Sequence, residues 1–215
     1  ILALVFVIIG LFGSWYTTHM KMTSFTEMES TSDIYLTKME TISKSNGQES
    51  KQSMELSEIK EQYKSSSMDT SFLDAIGNVF IITIVALIFG ILTIIFAAMS
   101  LAKPVLQIIG GIFAIILFVL MILGPILFMT GFTSFVENQA SSFGYSAEVA
   151  DIGFWFSKSE GGNVMSMGPS YAWYLMIVGA VFALISGIVF FIKQKQKIPN
   201  MATMQTQAPP ANPPI

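Results

Sequence analysis

The sequence predicts a membrane protein of the all-α class, a four-helix bundle bearing a small extracellular β-sheet and a short helix. Three observations lead there: four long uncharged apolar runs, a one-sided distribution of lysines between them, and a period-two alternation directly after the first run. Composition agrees, because 53% of the 215 residues are hydrophobic and 12% charged, whereas soluble domains carry about 25% charged residues.

A hydrocarbon core about 30 Å thick requires roughly 20 apolar residues in a helix. The first candidate span covers residues 1–16, from Ile1 to Tyr16, and without an initiator Met it is expected to continue a helix that starts before Ile1. A cleaved signal peptide is the rival reading, but neither a basic leading segment nor a nearby small-x-small cleavage site is visible. The second span is placed at residues 75–99, the third at 105–129 and the fourth at 171–192, with a turn at 100–104. Ser71 followed by Asp74 reads as a capping box for the second helix, and Pro104 suits the first turn of the third.

Lysines set the expected orientation. The 100–104 turn carries Lys103 and no acid, and the tail at 193–215 carries Lys193, Lys195 and Lys197 and no acid. The segment 17–74 holds six lysines against ten acids, and 130–170 holds Lys158 against Glu137, Glu148, Asp151 and Glu160. Short lysine-rich connections face the cytoplasm. Both termini are therefore expected inside an integral, multi-pass cell-membrane protein, with two long loops outside. The proline-rich tail is expected to be disordered.

No Asp, Glu, Lys or His lies within the four candidate spans. Titratable groups at membrane depth mark ion and proton pathways, so coupled transport is not expected. Pro125 beside Gly124 predicts a kink in the third helix. Small residues recur at four-residue spacing: Gly179, Ala183 and Gly187 on the fourth helix, Ala86 and Gly90 on the second, Gly110 and Ala114 on the third. Such faces let helix backbones approach closely, either within one bundle or against another membrane protein. Trp15, Tyr16, Tyr171, Trp173 and Tyr174 are expected as interfacial aromatics at the outer membrane boundary.

In the first outer segment, Tyr16, Thr18, Met20 and Met22 alternate with Thr17, His19, Lys21 and Thr23, the period of a strand. The stretch 33–43 is a second strand candidate, with the Glu29–Ser32 run read as the turn before it. Leu56, Ile59 and Tyr63 fall at helical spacing, predicting a short amphipathic helix over 52–64. In the second outer segment, Phe154, Trp155 and Phe156 form an aromatic cluster, able to pack on the sheet or to contact a partner.

Chemistry-bearing patterns are sparse. The chain has no cysteine and one histidine, His19, so thiol catalysis and a His-pair metal site are not expected. No arginine occurs and no basic stripe forms, which excludes a nucleic-acid partner. No nucleophile motif or Gly-rich phosphate loop occurs. The expectation is a non-enzyme with no cofactor and no metal.

The order of elements resembles the claudin and peripheral-myelin-protein superfamily of tetraspan membrane proteins. The resemblance rests on Trp15 with its following strand and on the Gly-Pro-Ser-Tyr-Ala-Trp-Tyr-Leu run, residues 168–175, leading into the last span. The chain departs from that family in lacking both the Gly-Leu-Trp tripeptide and the two first-loop cysteines, so paracellular barrier activity is not carried over. The expected function is a non-enzymatic membrane scaffold or adhesion-type protein whose outer sheet makes lateral or cell-surface contacts. The alternatives are an accessory subunit of a larger membrane complex and a sensor signalling through its tail. The expected partners are the lipid bilayer and other membrane protein subunits or further copies of the chain.

Overall fold

The computed structural model describes residues 1–23, 27–66, 68–103, 105–142 and 154–195. Five helices and six strands follow one another as α1 (Leu2–Phe12), β1 (Tyr16–Met22), β2 (Met28–Ile34), β3 (Lys38–Ser45), β4 (Gln48–Glu55), α2 (Leu56–Ser65), α3 (Ser71–Met99), α4 (Leu106–Ser142), β5 (Phe156–Glu160), β6 (Asn163–Pro169) and α5 (Tyr171–Lys195). The tail beyond residue 195 and Pro104 lie outside the described residues.

Three helices are long and apolar enough to cross a membrane: α3, the Leu106–Val136 part of α4, and the Tyr171–Ile192 part of α5. The expected first span is corrected. α1 has 11 residues, which at about 1.5 Å each reach roughly half of a hydrocarbon core about 30 Å thick. Gly13 leaves the helix in an extended conformation, φ −82° and ψ 163°. Trp15 is then captured by the sheet, its N–H donating to the Ile34 carbonyl at 2.7 Å and its carbonyl accepting from Ser170 at 2.9 Å. Strand pairing therefore ends α1 before Trp15 and Tyr16, and the described residues hold three membrane-length helices, not four. α4 also runs on to Ser142, well past the expected end of the third span at Met129.

α4 packs between α3 and α5, and α1 lies against α5 and α3. The small-residue faces are used here. A Cβ on Gly179 would collide with Met121 of α4 and lie 2.7 Å from the Phe6 Cβ of α1. One on Gly187 would sit 2.7 Å from the Ile115 Cδ1, and one on Gly90 2.8 Å from the Leu4 Cδ1. Gly110 makes an ordinary contact, 3.5 Å from the Phe96 Cβ, while Ala86, Ala114 and Ala183 are buried. These faces hold the bundle together by close backbone approach. Gln107, buried near the far end, donates its side-chain N–H to the Phe190 carbonyl at 2.9 Å.

The strands form one antiparallel sheet in the order β4-β3-β2-β1-β6-β5. β6 pairs with β1, Met20 opposite Met165 and Thr18 opposite Met167, so the two outer segments merge into a single sheet. Four strands replace the expected two in the first segment. The Glu29–Ser32 run lies inside β2 rather than in a turn, because its hydroxyls pair across the ladder, Ser30 with Ser43 at 3.2 Å and Ser32 with Thr41 at 2.9 Å. Asn46 and Gly47 both adopt positive φ, 50° and 78°, closing β3 onto β4 with the two-residue turn favoured by strand twist.

The expected helix over 52–64 starts later, at Leu56. Gln52–Glu55 belong to β4, and the helix is opened by a capping box between Glu55 and Glu58. Ser71 does not cap α3: Thr70 holds the cap position, and Asp69 accepts from the Ser71 backbone N–H and hydroxyl, both at 2.8 Å. An ion pair between Lys60 and Asp74 ties α2 to the start of α3.

Candidate functional site

The helices meet the sheet through a layer of aromatic rings. Trp15 and Tyr16 are fully buried there, against helix residues rather than on the protein surface. The Trp15 indole N–H donates to the Gly10 carbonyl, and its ring lies 5.4 Å from Phe128. The Tyr16 ring lies 4.3 Å from Phe132 and 5.3 Å from Phe154. Its hydroxyl donates to the Phe154 carbonyl at 3.0 Å. Burial pushes the Tyr16 phenol well above its ordinary pKa, because the charged form would lose its hydration. Phe72 closes the layer with an edge contact to Phe132, ring centres 5.3 Å apart.

Phe154, Trp155 and Phe156 divide three ways. Phe154 is buried, Phe156 is half-buried opposite Met167, and Trp155 is 54% exposed. The Trp155 indole N–H donates to the Tyr174 hydroxyl at 3.3 Å, and its ring stands edge-on to Trp173. Tyr171 and Tyr174 remain exposed, whereas Trp173 is nearly buried and donates to the Pro125 carbonyl at 3.1 Å. Phe72, Phe128 and Phe132 were not singled out by sequence; on helices of nearly uniform hydrophobicity, nothing local distinguishes a ring that meets the sheet from one that meets lipid.

Because side chains alternate across a strand, the register sorts the sheet into two chemically distinct faces. One carries His19 and Lys21 of β1, Glu29 and Asp33 of β2, Lys38, Glu40 and Lys44 of β3, and Glu49 and Lys51 of β4. Charges on it are paired: Lys38 with Glu40 at 2.6 Å, Lys51 with Glu40 at 3.1 Å, and Lys44 with Glu49 at 3.5 Å. Hydrogen bonds from Lys38, then Lys51, hold the Glu40 carboxyl below its usual range, and the same contact pushes the Lys38 ammonium up. His19 Nδ1 lies 3.2 Å from the Thr31 hydroxyl and Nε2 3.9 Å from Glu29. Asp33 accepts from the hydroxyls of Thr17 at 2.6 Å and Ser14 at 3.3 Å.

The opposite face carries Ser, Thr, Gln and Met side chains, with Lys158 at the β5 edge. Its row nearest the helices, Tyr16, Ile34 and Met39, packs into the core. Farther out, Met20, Met22 and Met28 are exposed. A cleft of about 310 Å³ lies there, lined by Met20, Met22, Met165, Phe156, Lys158 and Val164 among others. Among the described residues, no group of three His, Cys, Asp or Glu side chains gathers at metal-binding distance.

Fold and junction together define a helical protein of membrane-spanning character whose two non-helical segments build one sheet at one end of the bundle. Comparison with protein-family models and with curated proteins finds no match.

Proposed function

We propose that the chain is a non-enzymatic membrane scaffold or adhesion-type protein that makes lateral or cell-surface contacts through its sheet, with the 100–104 turn, which carries Lys103 and no acid, and the lysine-bearing tail on the cytoplasmic side. The observation that carries this reading is the rigid seating of the sheet combined with an open edge. Trp15, Tyr16 and Phe154 fix the sheet to the bundle. At the sheet's margin, β4 presents eight residues that are all exposed. Such an edge offers unpaired backbone donors and acceptors to another chain. Kinship with the claudin and peripheral-myelin-protein superfamily is part of the same proposal, supported by the strand that follows Trp15 and by the segment before α5.

A second reading, an accessory subunit of a larger membrane complex, is favoured by Trp155, which stands half-exposed beside Tyr174. The small-residue faces give that reading no support, since they are occupied within the bundle.

Isolation of the chain in mild detergent separates the two. Homomeric assemblies that cross-link through a cysteine placed at Ser50 in β4 support the scaffold, and a fixed heteromeric stoichiometry lost in Trp155→Ala supports the subunit. A lone monomer sinks both. Orientation is tested by labelling single cysteines at Lys158 and Lys103; labelling at Lys158 from the cytoplasmic side alone would overturn the proposed topology.

A further inference from the structure

The chain has 14 methionines; among the described residues seven lie in strands, and the register places all seven on the same sheet face and none on the charged one. Met39 and Met167 contribute to the core. The outer ones are not needed there: Met20, Met22 and Met28 are 36%, 44% and 45% exposed. A long apolar side chain left uncovered costs hydration free energy and gains nothing from packing, so this grouping invites a chemical reading of the thioether.

Met20 is directly opposite Met165 on β6, and Met22 is directly opposite Met28 on β2. Met20 and Met22 are two residues apart on the strand between them. A point above β1, midway between Met20 and Met22, therefore lies about one strand spacing, roughly 4.8 Å, sideways and about 3.4 Å along the strand from both Met165 and Met28. Methionine has three rotatable side-chain bonds, so these four positions, on three adjacent strands, place flexible thioethers around that point. The adjoining cleft, about 310 Å³, is lined by Met20, Met22 and Met165 together with the Phe156 ring.

We propose that Met20, Met22, Met28 and Met165 form a binding site for a soft monovalent cation of the Cu(I) class. Thioether sulfur is a neutral, polarizable donor that favours such ions over zinc, magnesium or calcium, which prefer imidazole, thiolate or oxygen. His19 and the β2 carboxylates Glu29 and Asp33 point to the other face by register, and the Asn163 amide oxygen in the cleft already accepts from the Thr23 N–H at 3.1 Å, which leaves the donor set all sulfur. Lys158, opposite Met165, and Lys21, paired with Glu27 at 3.3 Å, line the same cleft; their charge opposes a cation and sets the affinity lower than four thioethers alone would give. The site is independent of the scaffold reading, since it requires only the sheet.

Silver ion, a redox-stable probe of this class, tests the site on the purified full chain in detergent, with methionine methyl groups labelled for NMR. One silver ion per chain is expected, shifting the methyl signals of Met20, Met22, Met28 and Met165 and leaving the helix methionines in place, while zinc produces no such shift. Met20→Leu combined with Met165→Leu keeps side-chain volume nearly constant and should weaken silver binding at least tenfold; Lys158→Gln should tighten it. Methyl shifts spread evenly over all methionines, or wild-type affinity in the folded Leu double variant, would overturn the proposal. Because the methyl signals are read on the wild-type chain, a variant that fails to fold leaves the test intact.

Discussion

The hydroxyl of Tyr16 donates to the carbonyl oxygen of Phe154 at 3.0 Å, joining two residues 138 positions apart in the chain. This bond lies in the buried layer where the first strand, α4 and the start of the β5 hairpin meet, so it connects both sheet-forming segments to one helix. A buried carbonyl that loses its donor retains its desolvation cost.

Tyr16→Phe keeps the ring and deletes the donor. It is expected to lower stability by about 1–3 kcal/mol. Tyr16→Ala, which also opens a cavity among Phe128, Phe132 and Phe154, should cost about 3–5 kcal/mol. Thermal unfolding in a fixed detergent measures both; a Tyr16→Phe variant as stable as the parent would show that this bond contributes nothing.

Alkaline pH should act on the same junction. The folded pKa of Tyr16 is raised, so the folded state holds its proton where the unfolded chain, with a phenol near 10, releases it. The associated stability is fully present below about pH 10 and is lost as pH rises beyond it. Unfolding midpoints followed from pH 8 upward should fall more steeply for the parent than for Tyr16→Phe, and parallel curves would refute the assignment.

Acid should act on the charged face. Glu40 is held below its usual range by Lys38 and Lys51, so its contribution is present above the unfolded carboxylate pKa and fades as pH falls through the lower folded value. Removing both lysine partners, as Lys38→Gln with Lys51→Gln, should raise the Glu40 pKa measured by carbon NMR of its carboxyl. No movement would mean that the pairs are absent in solution.

Two glycines should respond oppositely to an added methyl. At Gly179 the new carbon would meet Met121 and Phe6, and Gly179→Ala should destabilise the bundle by about 1–3 kcal/mol through overpacking. At Gly77 nothing lies within 4 Å, and Gly77→Ala should stabilise α3 by about 0.5–1 kcal/mol. Chemical denaturation of both variants checks the pair, and a neutral Gly179→Ala would contradict the close helix approach.

At the β3–β4 turn, Gly47 holds φ at 78° with open space around it. Gly47→Ala should therefore cost about 1–2 kcal/mol through left-handed backbone strain alone. Hydrogen exchange at the β4 amides should rise in step; protection equal to the parent would remove the turn from any role in the sheet.

Local pattern was sufficient for the membrane-length helices α3, α4 and α5, the strand beginning at Tyr16, the amphipathic helix around Ile59 and the small faces at Gly179, Gly187 and Gly90, because each follows from composition or periodicity over neighbouring residues. It misplaced the Glu29–Ser32 run because polar hydroxyl residues read as a turn until a partner strand supplies the cross-strand bonds of Ser30 and Ser32. It extended the first helix to Tyr16 because hydrophobicity cannot show that Ile34 and Ser170 capture the backbone of Trp15.

By itself, then, the sequence determined that this protein is built for a membrane, that residues 75–99, 105–129 and 171–192 carry no Asp, Glu, Lys or His, and that β1 has two different faces. Only the tertiary structure decided that residues separated by more than 100 positions share one sheet, that Trp15 and Tyr16 point inward, and that Met165 stands opposite Met20. The physical reason is that periodicity is a property of neighbouring residues, whereas register is fixed by hydrogen bonds and buried rings between segments distant in the chain.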